Sequence, residues 1–276
     1  MTASPTTTDR AAAQREALYR DGVVGLPGCF PPDWADRLHA DFEALYAEAS
    51  LHPHGLIGRG PHRYYFSVHP ERVRGFADLV THPAVTALCA EVLGPDYLFV
   101  ELGFDVPFPG ATNQPWHRDF PIPPQTKDEG RLTSLAFNLT TVDVTPDLAP
   151  FEIAPGTQFD DGTAFDHGMF PPPEAYPRYQ ERAIRRFPRR GDVSARTGLT
   201  LHRGTEHFGD RARPVLILGA VTGDTDPAET EVHDLVLTRD FHAALPETLR
   251  SHLRCTVVEE LTPIVQRHDI EGLVMG

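Results

Sequence analysis

Trp116-His117-Arg118-Asp119 is the most informative stretch of this chain, and Leu201-His202-Arg203-Gly204, which begins 85 residues later, completes it. Side chains two positions apart on a strand point to the same face, so His117 and Asp119 can reach one metal ion. With His202 they provide two imidazoles and one carboxylate, the ligand set of non-haem Fe(II) oxygenases, which leaves positions open for a co-substrate and oxygen. The sequence therefore predicts an Fe(II) site at these three side chains.

A second histidine competes with His202 for the distal ligand position. Residues 199–202 read as a strand, whereas residues 204–207, which end at His207, read as a turn. A ligand carried by a strand is held more precisely than one carried by a loop. We therefore expect His202 to be the ligand and His207 to be a polar loop residue.

Two polar side chains lie where they could hold a dicarboxylate co-substrate. Arg213 follows His202 by eleven residues and stands before the apolar run 214–218. An arginine can bind a carboxylate through two parallel hydrogen bonds. Gln114, three residues before the first ligand, could donate one more. The alternative for Arg213 is a solvated residue at the mouth of a strand, and the nearby Arg211 is expected at the surface.

The composition is that of a globular protein with a sizeable core. The 276 residues, 40% hydrophobic and 23% charged, are enough for one large domain or for two small ones. The net charge of −14 disfavours nucleic acid and anionic membranes as partners. Three widely spaced cysteines disfavour a disulfide framework and indicate a reducing cytoplasm. Residues 1–9 lack the apolar core of a signal peptide, and no apolar run approaches the ~20 residues of a membrane span.

The order of elements predicts helices gathered before a set of short strands. Helices are expected at residues 9–19 with Thr8 as cap, from Pro31 onward, at 83–93 and at 246–253. Strands are expected at 23–26, 97–108, 132–144, 151–154, 193–195, 199–202 and 215–221. Residues 159–179, the lid segment, are irregular and aromatic. The pattern predicts one mainly β domain over residues 1–276, a β-sandwich or jelly roll with an N-terminal helical buttress and lid loops.

These residues coincide with the pattern of a known family. Gly191-Asp192-Val193 stands before the distal histidine block and Arg213 after it, while Ala154-Pro155-Gly156-Thr157-Gln158 is similar to a Pro-Gly-Ser-His turn. Tyr19-Arg20-Asp21-Gly22-Val23-Val24 is similar to the family's first strand. From about residue 10 to residue 222, the chain resembles the phytanoyl-CoA dioxygenase family of Fe(II)- and 2-oxoglutarate-dependent oxygenases.

The chain departs from the family pattern at two positions after the distal histidine. The family often has a hydroxyl residue two positions on and an asparagine five positions on, where this chain has Gly204 and His207. What replaces the missing hydroxyl donor is left open. Asp119 is retained, whereas halogenating relatives have a small residue there, so the resemblance disfavours halogenation.

The resemblance implies a double-stranded β-helix, the cupin-like jelly roll, with Fe(II) in its mouth. It further implies that 2-oxoglutarate chelates the iron, that Arg213 pairs with the distal carboxylate and that Gln114 adds a hydrogen bond. With O2 as the oxidant, succinate and CO2 would be released. The expected substrate is a small, partly apolar molecule, most simply hydroxylated, in secondary metabolism. Desaturation, ring formation, epoxidation and endoperoxide formation are not separated from hydroxylation by the sequence.

Loops around the mouth are expected to select the substrate. The candidates are Arg63, Tyr65, Phe104, Trp116 and Phe120. For each aromatic residue, packing in the core is the alternative.

Two other functions compete with this prediction. The first is a cupin-type dioxygenase or isomerase that uses the same metal ligands without 2-oxoglutarate, for which Arg213→Ala would leave activity largely intact. The second is a catalytically silent β-sandwich that binds a small molecule or a protein, which has no need of three metal ligands. The oligomeric state does not follow from the sequence.

Overall fold

Two antiparallel sheets form the centre of the computed structural model, which describes residues 6–225 and 235–266. The strands in this part of the chain are β1 (Val23–Leu26), β2 (Ile57–Gly58), β3 (Arg63–Ser67), β4 (Leu98–Pro107), β5 (Ser134–Thr140), β6 (Phe151–Ile153), β7 (Ile184–Arg186), β8 (Val193–Arg196), β9 (His202–Gly204), β10 (Val215–Val221), β11 (Leu235–Thr238) and β12 (Cys255–Val258). The helices are α1 (Thr7–Asp21), α2 (Pro32–Ala49), α3 (Phe76–Val80), α4 (Pro83–Leu93), α5 (Pro124–Glu129), α6 (Tyr176–Arg182), α7 (Arg239–Ala244) and α8 (Glu247–Arg250).

The strand order defines a jelly roll. The larger sheet runs β1-β8-β5-β10-β4-β3-β2, and each neighbouring pair is antiparallel. The smaller sheet runs β7-β6-β9 and is also antiparallel. A cavity is lined by residues of both sheets. The predicted mainly β fold with flanking helices and a double-stranded β-helix core is confirmed.

The first helix and its N-cap each begin two residues earlier than predicted. Thr6, not Thr8, is the N-cap, because its hydroxyl accepts from the Asp9 amide while the Asp9 carboxylate accepts from the Thr6 amide. The helix ends at Gly22, whose φ of 75° is the left-handed conformation that glycine adopts without strain. The predicted stop is therefore correct, and β1 begins one residue later.

The α2 helix covers the outer face of the larger sheet. Its Trp34, Leu38, Phe42 and Leu45 recur at helical spacing and are all buried. The Phe42 ring packs edge-on against Phe104 of β4, with 5.4 Å between ring centroids. Since side chains alternate along a strand, the next residue of β4, Asp105, points to the opposite face and lines the cavity. The sheet thus separates an apolar layer from the cavity.

Three elements differ from the prediction near the cavity. β3 was not among the predicted strands, and it pairs with β4 over five residues. Residues 197–200 form a turn, with the Thr200 amide donating to the Thr197 carbonyl at 3.3 Å, so β9 begins only at His202. The lid segment is irregular as predicted, but it ends in α6. β11, β12 and α3 also went unpredicted, because each is five residues or shorter.

Among the described residues, no helix is both long enough and apolar enough to cross a membrane. The prediction of one domain over residues 1–276 includes residues 1–5, 226–234 and 267–276, which lie outside the described part, and it stays a prediction.

Candidate metal centre

An isolated β-bridge between His117 and His202 brings the two histidines together. The His117 amide donates to the His202 carbonyl at 3.0 Å, and the His202 amide donates to the His117 carbonyl at 2.9 Å. His117 is not part of a longer strand, which corrects the strand expected for it. The bridge sets the two imidazoles side by side, with 4.4 Å between ring centroids.

Both imidazoles present the same nitrogen to the space between them. Nδ1 of His117 lies 2.9 Å from the Pro115 carbonyl, and Nδ1 of His202 lies 2.8 Å from the Thr200 carbonyl. A carbonyl oxygen only accepts hydrogen bonds, so each Nδ1 must carry the proton. Each Nε2 therefore keeps its lone pair for a metal ion, the arrangement in which backbone carbonyls orient histidine ligands.

Asp119 completes the donor set. Its amide donates to the Gly198 carbonyl at 2.8 Å, and its Oδ1 lies 3.2 Å from Nε2 of His202. One ligand atom from each of His117, Asp119 and His202 lies within 4.8 Å of the others. Two imidazole nitrogens and one carboxylate oxygen on one side fit an Fe(II) ion that keeps open positions.

Arg196, which was not among the residues predicted from the sequence, binds the Asp119 carboxylate. Its Nη1 donates to Oδ2 of Asp119 at 2.5 Å. Burial raises the pKa of the Asp119 carboxyl, but Arg196 and His202 outweigh it, so the pKa falls below its usual range. Burial, aided by His202, lowers the pKa of His117 to about 3. Near neutral pH both groups are therefore deprotonated, as metal ligands must be. The sequence feature that could have indicated Arg196 is its place at the end of the short strand Val193–Arg196.

His207 lies apart from this group and is not solvated. Only 3% of the residue is exposed, and its amide donates to the Ala111 carbonyl at 2.8 Å. Burial lowers the pKa of its imidazole. The predicted polar loop residue is therefore a buried one, and an isolated β-bridge pairs it with Leu148.

Arg213 lies at one end of the cavity and is deeply buried, with 4% exposed. Within the described chain, its guanidinium makes no hydrogen bond, and its Nε is completely enclosed. Burial, together with the nearby Arg63 and against the effect of Asp105, lowers the pKa of Arg213 to about 10. A buried cation without an acceptor is costly, so this end of the cavity fits an anionic group.

Gln114 also lines the cavity, but it braces the backbone there. Its Oε1 accepts from the Gly204 amide at 2.9 Å, and its Nε2 donates to the Arg59 carbonyl at 3.1 Å. Its own amide donates to the Gly204 carbonyl at 2.9 Å. The side chain thus ties the segment before His117 to the segment after His202.

The five predicted substrate residues divide into two groups. Arg63, Tyr65 and Phe120 line the cavity. Phe104 and Trp116 do not, and both are completely buried elsewhere. Phe104 belongs to the core under α2, and Trp116 belongs to a small cluster with Tyr179. The predictions for Phe104 and Trp116 are wrong because each precedes a residue that faces the cavity, Asp105 and His117 respectively. Neighbouring side chains on an extended chain point to opposite faces.

Arg118, between two metal ligands, ties the lid segment to the metal centre. The residue is 1% exposed, its amide donates to the Met169 carbonyl at 3.1 Å, and its Nη2 donates to the Asp160 carbonyl at 2.9 Å. Its guanidinium lies 4.8 Å above the Phe165 ring. One buried side chain and one backbone hydrogen bond therefore join the lid segment to the residue between two metal ligands.

A two-histidine, one-carboxylate centre at the cavity of a jelly roll is the arrangement found in non-haem iron oxygenases. The family model for phytanoyl-CoA dioxygenase matches residues 18–215, and this chain belongs to that family. It is accordingly a non-haem iron and 2-oxoglutarate-dependent enzyme. No curated protein matches the sequence significantly.

Solved structures share the fold at low sequence identity. AviO1 from Streptomyces viridochromogenes is 20% identical with a TM-score of 0.59, over 82% of this chain and 99% of its own. The 2-oxoglutarate-dependent carbocyclase SnoK from nogalamycin biosynthesis is 17% identical with a TM-score of 0.60, over 96% and 100%. EctD from S. alaskensis, solved with 2-oxoglutarate and 5-hydroxyectoine, is 16% identical with a TM-score of 0.60, over 76% of each chain.

Proposed function

We propose that this protein hydroxylates a small, partly apolar molecule of secondary metabolism, consuming 2-oxoglutarate and O2 and releasing succinate and CO2. The observation that carries the proposal is that the metal ligands and a buried arginine line the same cavity. The metal ligands lie on its wall, and the buried guanidinium of Arg213, without a hydrogen-bond acceptor among the described residues, lies at one end.

The chain's own residues divide the binding task between them. His117, Asp119 and His202 would hold the iron through two Nε2 atoms and a carboxylate oxygen. Arg213 would bind the distal carboxylate of 2-oxoglutarate through paired hydrogen bonds. When bound together, the iron and 2-oxoglutarate would use O2 to attack a carbon–hydrogen bond, with one oxygen atom going to succinate as CO2 leaves and the other to the product. The buried setting of Arg213 keeps water away from that carboxylate and strengthens its binding.

The rest of the cavity supports a substrate of mixed polarity. Apolar walls come from Val144, Phe151, Val215 and Ile217. Hydrogen-bonding groups come from Glu101, Ser134, Asn138 and Ser194. Pockets of this kind hold the apolar body of a small molecule and orient it by a few polar contacts. Tyr65 and Phe120, on the same lining, are proposed to contact the substrate.

Hydroxylation is favoured because it requires only one substrate carbon beside the metal, whereas desaturation and ring formation require a second reacting position. EctD, which was solved with the hydroxylated compound 5-hydroxyectoine, supports hydroxylation, and SnoK, from nogalamycin biosynthesis, supports a place in natural-product chemistry. We further propose that the protein works in the cytoplasm, which the three free cysteines support.

Isotope labelling tests the proposed reaction. A library of small partly apolar molecules would be screened for succinate formation above the substrate-free rate, and each hit would be turned over under 18O2. Hydroxylation predicts one 18O atom in the product and one in succinate. A product without 18O, two hydrogens lighter than its substrate, would contradict hydroxylation while leaving the dependence on 2-oxoglutarate intact.

Two results would instead favour the rival functions. Turnover without 2-oxoglutarate would favour the cupin-type dioxygenase or isomerase. Failure to bind iron would favour the silent binding protein.

A further inference from the structure

At Gly204, the guanidinium of Arg63 occupies the space that the side chain of any other residue would need. A Cβ atom built on Gly204 would lie 2.5 Å or less from Nη1, Cζ and Nη2 of Arg63. Real atoms do not approach so closely, and a buried guanidinium cannot simply swing aside. This is the position, two residues after the distal histidine, at which the resembled family often has a hydroxyl residue. In this chain the guanidinium of Arg63 stands where that hydroxyl would be.

Arg63 is held rigidly beside Arg213. It is 2% exposed, its Nη1 lies 3.1 Å from Oδ2 of Asp105, and its Nη2 donates to the Thr205 carbonyl at 3.2 Å. Its Nε has no partner in the described part of the chain. Arg63 pairs with Pro107 of β4, and the Arg213 amide donates to the Pro107 carbonyl at 3.1 Å, so the two arginines flank the same residue. Consistent with this placement, Arg63 lowers the pKa of Arg213. Both line the cavity that contains the metal ligands.

The charges at this end of the cavity do not balance. Arg63 and Arg213 carry two positive charges, and Asp105 is the carboxylate that acts on both in the described chain. One positive charge is left over in a buried setting, which is unfavourable unless an anion joins it. A single carboxylate group would neutralise the cluster, and a planar guanidinium binds a carboxylate in a fixed geometry.

We propose that Arg63 is a second anchor for the distal carboxylate of 2-oxoglutarate, shared with Arg213, and that Gly204 is required to admit it. This inference rests on the proposed function. It replaces the prediction of Arg63 as a substrate contact and assigns the donor that stands in for the missing hydroxyl.

Binding measurements on anaerobic Fe(II) protein test the proposal without turnover. Arg63→Met should weaken 2-oxoglutarate binding at least about tenfold, because a charged hydrogen bond is lost. The affinity for Fe(II) should stay the same. Binding of 2-oxopentanoate, which has the same 2-oxoacid end but no distal carboxylate, should also be unchanged. Arg63→Lys keeps the charge beside Asp105 but loses the planar group, so its affinity for 2-oxoglutarate should fall between those of the wild-type protein and Arg63→Met. This variant replaces Arg63→Met in the test if Arg63→Met does not fold.

A rescue variant separates this role from a purely structural one. Gly204→Ser alone should weaken 2-oxoglutarate binding, because its side chain collides with Arg63. Combined with Arg63→Met, it restores the hydroxyl of the resembled family and should recover part of the affinity. A structural defect would not be rescued in this way.

The outcomes distinguish the inference from the proposed function. One outcome is that Arg213→Met binds 2-oxoglutarate weakly while Arg63→Met binds it as tightly as the wild-type protein does. In that case Arg63 is not a second anchor, and the proposed function stands. If Arg63→Met weakens 2-oxoglutarate and 2-oxopentanoate equally, the role of Arg63 is not recognition of the distal carboxylate. If wild-type protein binds iron but not 2-oxoglutarate, the proposed function itself is wrong.

Discussion

His117 and His202 are partners in one antiparallel bridge, and each turns its Nδ1 back to the carbonyl two residues before it in the chain. Backbone hydrogen bonds thus fix both the separation of the two rings and the nitrogen that each ring presents. The geometry of the metal centre is therefore a property of the main chain, and no other side chain is needed to select the tautomer of either ring.

The ligand assignment predicts which histidine controls iron binding. His202→Ala should lower the Fe(II) affinity by more than the roughly 10–100-fold that follows loss of an outer hydrogen-bond partner, because a ligand atom disappears. His117→Ala and Asp119→Ala should behave alike. His207→Ala should retain iron, since its ring lies outside the group. Iron content after dialysis measures this, and retention by His202→Ala with loss from His207→Ala would overturn the assignment.

A single methyl group at Gly198 should disturb the carboxylate ligand. A Cβ there would lie 2.8 Å from Oδ2 of Asp119 and 2.6 Å from the Phe120 ring. We expect Gly198→Ala to lower the Fe(II) affinity about 10–100-fold by displacing Asp119. Gly25→Ala is the matched control, because a Cβ at that strand position meets nothing within 4 Å. Equal iron affinities for the two variants, from competition with a chelator, would refute the expectation.

Arg118 should couple the lid segment to productive turnover. Arg118→Met keeps most of the volume but loses the hydrogen bond to Asp160 and the contact with Phe165. We expect nearly normal iron binding, faster proteolytic cleavage within the lid segment, and more succinate formed per product released, because a loose lid admits water. Arg178→Met removes a surface ion pair to the same Asp160 and should change neither readout. A ratio of succinate to product that stays at the wild-type value in Arg118→Met would argue against this role.

Glu152 should stabilise the small sheet that carries His202. Its buried carboxylate bonds Nε of Arg185 at 3.0 Å and Nε of Arg203 at 2.6 Å. Glu152→Ala leaves Arg203 without its acceptor, and we expect a loss of about 1.5–3 kcal/mol in the free energy of unfolding, the range for a hydrogen bond to a charged group. Thermal or urea denaturation would measure it. Glu48→Ala, which removes a partly exposed pair with Arg72, should cost no more than about 1 kcal/mol, and an equal loss in both would contradict the expectation.

Elements with strong local signals could be predicted from the sequence to the residue. The helix Pro83–Leu93 begins with proline at its first position and ends before Gly94, and the strand Val215–Val221 is a continuous apolar run. β3 could not be predicted, because only its pairing with the distant β4 makes it a strand. Tertiary pairing overrides local preference in such short segments.

The metal ligands could be proposed from the sequence because two of them lie within three residues and the third lies in a recognisable block. Arg63 and Arg196 could not be assigned in the same way. Each enters the cavity because its strand pairs with a neighbour far away in the chain, as Arg63 does opposite Pro107. Phe104 and Trp116 show the converse error, since an aromatic residue near a ligand does not reveal which face it occupies.

The most direct test is an anaerobic titration of the Fe(II) protein with 2-oxoglutarate, followed by the weak visible absorption band of the iron chelate. We expect a band that saturates at one 2-oxoglutarate per chain, disappears when oxygen is admitted, and requires a much higher 2-oxoglutarate concentration in Arg213→Ala. Iron bound by His117, Asp119 and His202 with no such band at any 2-oxoglutarate concentration would contradict this expectation.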